Sequence, residues 1–320
     1  MGKPTVLVTR AIPQAGLDLL ASHFDLELNA DDRPYSPEEL RRHAAGKAAL
    51  VTLLTDKVDG ALFAAAPGLK IVANVAVGYD NIDLEAARSH RVHVSNTPGV
   101  LTDATADLAF TLLLAAARRV CEGDRYIRSG KWTGWQMMGF HGGDIAGRTL
   151  GIAGFGRIGQ AVARRARGFG LQVIYSDAQR AGTAAEEAVG ARFVDKPTLL
   201  AQSDYLSLHV PYLPTTHHYI GAPELGAMKK TAYLINTSRG PVVDEPALAK
   251  ALRNGAIRGA GLDVFEREPE VFAELLTLEN VTLTPHIASA TDDTRAKMSL
   301  VAAENVIAVL GGGPPLNPVL

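Results

Sequence analysis

Short apolar, β-branched runs alternate with segments of helical period along almost the whole chain. This alternation is typical of parallel α/β folds, in which a helix connects each strand to the next strand of the sheet. In the first part of the chain it predicts strands at 5–9, 25–28, 50–54 and 69–74 and helices at 13–22, 36–45 and 58–66. Ser36 and Glu39 match a capping box at the start of the helix at 36–45.

The pattern breaks at residues 96–99, Asn-Thr-Pro-Gly. A long helix predicted from Thr102 to about Cys121 follows, and since it is apolar on most sides, we expect Cys121 to belong to the core. A second α/β series then begins, with strands predicted at 149–153, 172–175, 205–210, 233–236, 261–264 and 281–284 and helices at 158–169, 246–253 and 294–310. The length of 320 residues also fits two domains, each an α/β domain on a doubly wound parallel sheet.

Charge and apolar patterning exclude several classes of partner. Lysine and arginine number 32 against 34 aspartate and glutamate, so the formal charge is −2. This balance supplies no basic surface, and we expect no nucleic-acid or membrane partner. The longest apolar stretch, 108–117, is much shorter than the roughly 18 residues of a membrane span. The apolar run at 6–8 is too short for a signal-peptide core, so we expect a cytoplasmic protein.

No metal site is expected from the sequence. The single cysteine excludes an internal disulfide and cannot form a thiolate cluster for zinc or iron–sulfur. His90 and His93, interpreted as strand residues, would face opposite sides of a sheet and could not chelate one ion together. His217 and His218 are adjacent in a loop, where we expect them to face solvent or lie near a cofactor.

Gly154, Gly156 and Gly159 form a GxGxxG pattern, with Arg157 and Ile158 between the last two glycines. The pattern lies directly after a predicted strand and opens a predicted helix. In this order the first glycine allows the tight turn, the second lets a pyrophosphate approach the backbone, and the third packs the helix on the strand. The sequence therefore predicts a dinucleotide-binding loop, the alternative being a glycine-rich turn that binds nothing.

Asp177 ends the next predicted strand, where an acidic side chain accepts hydrogen bonds from the hydroxyls of the adenosine ribose. The same carboxylate repels a 2′-phosphate, so NAD is favoured over NADP. Arg180 keeps NADP open as an alternative, because a guanidinium could pair with that phosphate.

Three polar side chains follow three further predicted strands, namely Arg239, Glu268 and His286. Doubly wound sheets bind ligands at the edge where the strands end. Each residue alone could be a surface charge, a loop residue or a packed strand end. Together at one edge, they are the groups that hydride transfer to an α-keto acid requires.

The segments around these residues resemble the D-isomer-specific 2-hydroxyacid dehydrogenases. The resemblance is carried by 238–240 (Ser-Arg-Gly), 263–269 (Asp-Val-Phe-Glu-Arg-Glu-Pro), 285–291 (Pro-His-Ile-Ala-Ser-Ala-Thr), 77–83 (Val-Gly-Tyr-Asp-Asn-Ile-Asp) and 101–107 (Leu-Thr-Asp-Ala-Thr-Ala-Asp), and it covers the whole chain. It implies a flavodoxin-like substrate domain at 1–98, a Rossmann NAD(P)-binding domain at 99–288, a C-terminal helix at 289–320 that returns to the substrate domain, and a cleft between the two domains.

The resemblance also implies a role for each site residue. His286 would protonate the C2 oxygen of a keto acid, Glu268 would orient the imidazole, and Arg239 would bind the substrate carboxylate and carbonyl. Backbone amides at Val77 and Gly78 would bind the other carboxylate oxygen. Further substrate contacts would come from Leu53, Ser289, Trp135 and His286 itself. Asp263 would bind the nicotinamide carboxamide of the cofactor. The other residues that would line the cofactor are Thr105, Pro211, Thr216, Thr237, His286 and Ala288.

Within the family, residues 53–59, 131–135 and 294–299 are most similar to the glyoxylate/hydroxypyruvate reductases. This implies NAD(P)H-dependent reduction of glyoxylate or hydroxypyruvate by a homodimer. Trp135 would either reach the active site of the neighbouring subunit or pack in the dimer interface. The alternatives are a D-3-phosphoglycerate or other D-2-hydroxyacid dehydrogenase and, in a different class, a dinucleotide-sensing protein like the C-terminal-binding corepressors.

Overall fold

The computed structural model describes residues 2–29, 31 and 33–320. By its internal contacts the chain divides into two compact units. The first unit consists of Met1–Leu101 and Ser289–Leu320, and the second of Thr102–Ala288. Each unit contains its own parallel sheet and its own helices.

The described residues form twelve strands and twelve α-helices. The strands are β1 (Thr5–Val8), β2 (Asp25–Leu28), β3 (Ala49–Thr52), β4 (Ile71–Asn74), β5 (His93–Ser95), β6 (Thr149–Ala153), β7 (Gln172–Ser176), β8 (Ala191–Phe193), β9 (Tyr205–Leu208), β10 (Tyr233–Asn236), β11 (Gly259–Leu262) and β12 (Val281–Leu283). The helices are α1 (Gln14–His23), α2 (Pro37–Ala44), α3 (Gly60–Ala65), α4 (Leu84–Ser89), α5 (Thr102–Ala117), α6 (Val120–Arg128), α7 (Arg157–Gly168), α8 (Thr183–Val189), α9 (Lys196–Gln202), α10 (Ala222–Ala227), α11 (Glu245–Arg253) and α12 (Asp292–Leu310).

The first unit is a five-stranded parallel sheet in the order β2-β1-β3-β4-β5. This is the flavodoxin-like order, which reverses direction between β1 and β3. The central strands are fully buried, as expected for a sheet covered on both faces. The predicted capping box is confirmed, because Ser36 Oγ accepts from Glu39 N at 3.2 Å while Glu39 Oε2 accepts from Ser36 N at 2.8 Å.

The second unit is a seven-stranded parallel sheet in the order β12-β11-β10-β9-β6-β7-β8. Counted from β6, this is the Rossmann order with one more strand at the edge, and the direction reverses between β6 and β9. Two clusters of buried side chains form its core. The predicted fold class, two doubly wound parallel α/β sheets, is confirmed.

The long helix predicted from Thr102 to about Cys121 is confirmed up to Ala117 and is wrong only beyond it. Helix α5 ends at Ala117, and Arg119 lies in the left-handed region with φ of 54°, so a separate helix α6 begins at Val120. The Arg119 guanidinium is bound by Glu122 at 2.6 and 2.7 Å, which holds the break. Cys121 therefore belongs to α6, a helix without buried residues, and is only half-buried rather than part of the core.

Short elements account for most of the other differences. The pattern did not predict α4, β5, α8, β8, α9 or α10, each of three to seven residues, because so few residues show no clear period. His90 is the residue after α4 and not a strand residue, so only His93 fits the strand interpretation. The predicted strand 261–264 ends at Leu262, which places Asp263 in the loop that follows.

No helix among residues 2–29, 31 and 33–320 is long and apolar enough to cross a membrane. The same residues contain no group of three or more His, Cys, Asp or Glu side chains that could hold a metal ion.

Candidate active site

The glycine-rich loop connects β6 to α7, and its three glycines meet different constraints. Gly154 has φ of +88°, and a Cβ there would lie 2.7 Å from the backbone of His209. A Cβ at Gly159 would overlap the carbonyl oxygen of Gly154. Gly156 is the N-cap residue of α7, and nothing lies within 4 Å of the position of its Cβ. The first and third glycines are thus required by the packing of the protein itself, whereas the second keeps open space beside the helix terminus.

That helix terminus fits a pyrophosphate. The first N–H groups of a helix have no intrahelical acceptor and carry partial positive charge. Arg157, the first residue of α7, is exposed, and Ile158 is half-buried. The residues present therefore fit a bound dinucleotide at this loop.

Asp177 follows β7 and supports the same loop. Its Oδ2 accepts a hydrogen bond from Phe155 N at 2.6 Å, and its Oδ1 accepts from Ala178 N at 2.7 Å. Arg180 donates to both carboxylate oxygens of Glu186, at 2.9 and 2.8 Å. The hydrogen bonds from Arg180 and from the Tyr175 hydroxyl lower the pKa of Glu186 to about 2. Arg180 is therefore engaged in a bidentate pair.

Arg239, Glu268 and His286 follow β10, β11 and β12, three neighbouring strands of one parallel sheet. His286 Nδ1 lies 2.8 Å from Glu268 Oε2, and Glu268 Oε1 accepts from Phe265 N at 3.0 Å. Burial tends to raise the pKa of Glu268, but the hydrogen bond and charge of His286, the Phe265 N–H and the charge of Arg239 together lower it. Glu268 is thus a carboxylate held against the imidazole, with the positive charge of Arg239 acting on it.

Asp263 holds the loop that carries His286. This residue is fully buried, and its carboxylate accepts hydrogen bonds from Thr284 Oγ1 at 2.7 Å and from the N–H groups of Ile287 and Ala288, each at 2.8 Å. Burial raises the pKa of Asp263, although these hydrogen bonds act to lower it. His286 has φ of +53°, an uncommon backbone conformation for a residue with a side chain, and the Asp263 contacts fix the loop there. The sequence carried no signal that Asp263 would hold the loop of His286.

The other residues expected to line the cofactor lie in the same unit. Thr237 is buried, and its hydroxyl has no hydrogen-bond partner among the described residues. Thr105 is buried on α5. Thr216 Oγ1 donates to the Pro211 carbonyl at 2.7 Å and accepts from Leu213 N at 2.8 Å, so it also stabilises its own turn.

The expected substrate residues of the first unit lie on loops held by asparagines. The Asn96 side chain donates to the Val77 carbonyl at 2.7 Å, and the Asn74 side chain donates to the Gly78 carbonyl at 2.9 Å. The Asn81 side chain donates to the Leu53 carbonyl at 3.1 Å. Within the part of the chain that is described, the N–H groups of Val77 and Gly78 donate to no acceptor.

Leu53 N in turn donates to the buried carboxylate of Asp56 at 2.8 Å. Sequence reasoning missed these supporting asparagines and Asp56. Residues 77–83 carried part of the signal, since they include Asn81, but only the fold shows which carbonyls the side chain binds. Ser289 is the first residue of the returning segment of the first unit, and Trp135 lies in the second unit.

The family model described as D-isomer specific 2-hydroxyacid dehydrogenase, NAD binding domain matches residues 110–288. Relatives named glyoxylate reductase, from Korarchaeum cryptofilum and Thermococcus litoralis, are each 53% identical over 99% of this chain, covering 96% and 97% of their own sequences. The chain belongs to the D-isomer-specific 2-hydroxyacid dehydrogenases. The family recognised from the sequence and its enzyme class, an NAD(P)-dependent oxidoreductase, are confirmed.

Solved structures of the family agree with this assignment. A glyoxylate reductase from Paecilomyes thermophila superimposes with a TM-score of 0.89 at 34% identity, over 100% of this chain and 99% of that one. An NADPH-dependent glyoxylate/hydroxypyruvate reductase from Sinorhizobium meliloti, in complex with NADP and malonate, gives a TM-score of 0.89 at 35% identity over 99% and 97% of the two chains.

Gly156→Val tests the assignment of the loop. A Cβ at this position has no protein atom within 4 Å, so we expect only the small drop in melting temperature that a less favourable N-cap residue causes. We also expect a loss of NADH affinity of about tenfold or more, since the side chain would occupy space beside the pyrophosphate. The matched variant Gly154→Val places a Cβ against backbone and should lower the free energy of unfolding by about 1–3 kcal/mol. Calorimetry and NADH fluorescence titration measure both effects. Unchanged NADH affinity in Gly156→Val would contradict the assignment.

Proposed function

We propose that the protein reduces a small 2-keto acid, glyoxylate or hydroxypyruvate or both, to the D-2-hydroxy acid with a reduced nicotinamide dinucleotide. The observation that carries the proposal is the His286–Glu268 pair, with the charge of Arg239 acting on Glu268, in the unit that contains the glycine-rich loop. The relatives named glyoxylate reductase support the choice of substrate.

The protein's own groups would divide the proton and charge chemistry among them. A bound reduced nicotinamide supplies the hydride that C2 of the keto acid receives. Since Nδ1 of His286 faces Glu268, Nε2 is the nitrogen that donates a proton to the C2 oxygen. The Glu268 carboxylate fixes the ring and stabilises the imidazolium before transfer. In the oxidative direction the same nitrogen removes the hydroxyl proton.

Substrate binding would rely on charge and on fixed backbone donors. The Arg239 guanidinium matches a planar pair of oxygens, which suits the carboxylate and carbonyl of a 2-keto acid. The N–H groups of Val77 and Gly78 fit a carboxylate oxygen, because the carbonyls on the same loop are already bound by asparagine side chains. Leu53 and Ser289 complete the proposed set of substrate contacts.

NADH is the proposed cofactor, with NADPH as the alternative. The Asp177 carboxylate at the end of β7 would accept the ribose hydroxyls and repel a 2′-phosphate. Arg180, the residue that could offset that repulsion, would have to give up its bidentate pair with Glu186. Both observations favour NADH.

Initial rates with NADH and NADPH, using glyoxylate, hydroxypyruvate, pyruvate and 3-phosphohydroxypyruvate, test the reaction. We expect turnover of glyoxylate or hydroxypyruvate, followed by the absorbance of the reduced nicotinamide. Preferred turnover of 3-phosphohydroxypyruvate would replace the proposal with a phosphoglycerate dehydrogenase. Dinucleotide binding without turnover of any keto acid would favour the sensor alternative.

Asp177→Ser tests the cofactor preference in the same assay. Removing the negative charge should raise kcat/KM with NADPH relative to NADH by about tenfold, equivalent to about 1.4 kcal/mol. Arg180→Ala serves as the comparison. Because Arg180 is already paired with Glu186, this variant should change the ratio of kcat/KM with NADPH to kcat/KM with NADH by no more than about twofold. A preference of the unaltered protein for NADPH, lost in Arg180→Ala, would reverse the assignment.

His286→Ala and Arg239→Ala test the catalytic roles separately. Loss of the general acid should lower kcat by about 10²- to 10⁴-fold and leave NADH binding nearly intact. Loss of Arg239 should raise KM for the keto acid and lower kcat together. His90→Ala, a change of an exposed histidine at the end of α4, is the control. Near-normal turnover in His286→Ala would show that another group supplies the proton.

We also propose that the protein is a homodimer whose interface is formed by the exposed apolar side chains of α6 and the loop after it. Trp135 is 80% exposed and Met138 81% exposed, and Val120, Ile127, Trp132 and Met137 are also more than half exposed. Such a concentration of apolar side chains is typical of a protein interface. The cytoplasmic location of the protein also stays a prediction.

Light scattering tests the dimer and the two roles of Trp135. We expect the mass of two chains for the unaltered protein and of one chain for Met138→Asp, since the charge is placed in the apolar interface. Trp135→Ala should leave the mass unchanged and raise KM for the keto acid if Trp135 reaches the partner's site. A single-chain mass for the unaltered protein would contradict the dimer.

A further inference from the structure

A second histidine–carboxylate pair lies on the same loop as the proposed catalytic pair. Glu266 and Glu268 are two residues apart in the loop after β11. Glu268 contacts His286, whereas Glu266 Oε1 is hydrogen-bonded to Nε2 of His218. The reaction proposed above uses neither His218 nor Glu266, and both are half-buried.

The backbone of His218 is fixed to the turn that carries Arg239. His218 N donates to the Pro241 carbonyl at 2.8 Å, and Ile220 N donates to the Val242 carbonyl at 3.0 Å. His218 has φ of 48°, a backbone conformation that costs energy in residues other than glycine unless the surroundings maintain it. The contact with Glu266 is one such constraint.

Glu266 is held from its other side by a buried acid. Its N–H donates to Glu245 Oε1 at 2.9 Å, and Glu245 is 5% exposed. Burial and the negative charges of Glu266 and Glu268 raise the pKa of Glu245. Asp244 adds a further carboxylate, whose Oδ2 lies 3.9 Å from His218 Nδ1. The His218 imidazole thus lies between the carboxylates of Glu266 and Asp244.

The chain just before His218 forms the turn expected to line the cofactor. Thr216 Oγ1 bonds to the Pro211 carbonyl and to Leu213 within this turn. These hydrogen bonds stabilise the turn, and His218, two residues after it, contacts Glu266 in the loop of Glu268. Three segments meet at this residue: the turn at 211–216 lies just before it, its N–H donates to the turn after Arg239, and its imidazole contacts Glu266 of the loop after β11.

We propose that His218 is a positioning residue, which through Glu266 ties the turn that lines the cofactor to the loop that holds Glu268. It acts through these neighbours and does not touch the reacting atoms. The inference rests on the proposed function for its effect on turnover, but its effect on dinucleotide binding can be measured independently of any reaction.

A double-mutant cycle with His218→Ala, Glu266→Ala and the double variant tests the pair. We expect each single variant to weaken NADH binding about fivefold, and the double variant to lose no more than either single one, because residues that act as a unit are not additive. His218→Gln keeps a hydrogen-bond donor and should recover most of the affinity. Fluorescence titration gives the dissociation constant, and calorimetry verifies that each variant is folded.

His217→Ala is the matched control. Its ring stacks on that of His218 with centroids 4.0 Å apart, and none of the described carboxylates contacts it. We expect a change within about twofold. Steady-state rates add a second measurement, in which the single variants should lower kcat about fivefold while KM for the keto acid changes little, since the loop of Glu268 is loosened and the substrate contacts remain.

The possible failures are distinguishable. Losses of NADH affinity that multiply in the double variant would overturn the pair, as would an unchanged affinity in His218→Ala. If the unaltered protein binds NADH but reduces no keto acid, the proposed function fails, while the binding cycle still decides the role of His218. An equal loss in His217→Ala would also overturn the inference, because the effect would then belong to the turn and not to the contact with Glu266.

Discussion

The parallel register of the seven-stranded sheet is the constraint on which the rest of the second unit depends. Because β9, β10, β11 and β12 pair in parallel, their carboxyl ends meet at one edge, and every loop that leaves this edge begins beside its neighbour. Loops as distant in sequence as those of Arg239 and His286 begin at this one edge in this way. The strands themselves are buried and apolar, so the polar chemistry is confined to their ends.

Carboxylates organise this edge by accepting hydrogen bonds from backbone N–H groups. Asp177 accepts from the glycine-rich loop, Asp263 from the residues after His286, and Glu268 from Phe265. Glu245 does the same for Glu266. Hydrogen bonds to a charged acceptor are stronger than neutral ones, so each acid fixes a loop that has no strand or helix to hold it. The acids at this edge therefore hold the loops on which the proposed site residues lie.

In the first unit, Asp56 accepts from Leu53 N in the same way, but neutral side chains also hold the loops after β3 and β4. Asn74, Asn81 and Asn96 each donate to a carbonyl oxygen of the loops after β3 and β4. An amide that binds a carbonyl leaves the neighbouring N–H groups available without adding negative charge. The contacts of Asn96 and Asn74 suit the loop of Val77 and Gly78, which is proposed to receive a carboxylate, because an acidic side chain in their place would repel the substrate.

The sequence by itself determined the two parallel α/β sheets, the glycine-rich loop, and the three polar residues at the strand ends, since period and spacing are local properties. It also carried the family, through motifs spread over the whole chain. It could not determine the break at Arg119, the half-exposed position of Cys121, or the short elements such as α9 and β8, where too few residues show a period. Only the tertiary structure decided that Asp263 holds the loop of His286 and that Glu266 contacts His218, because these partners lie many residues apart and meet only when parallel strands bring their loops to one edge.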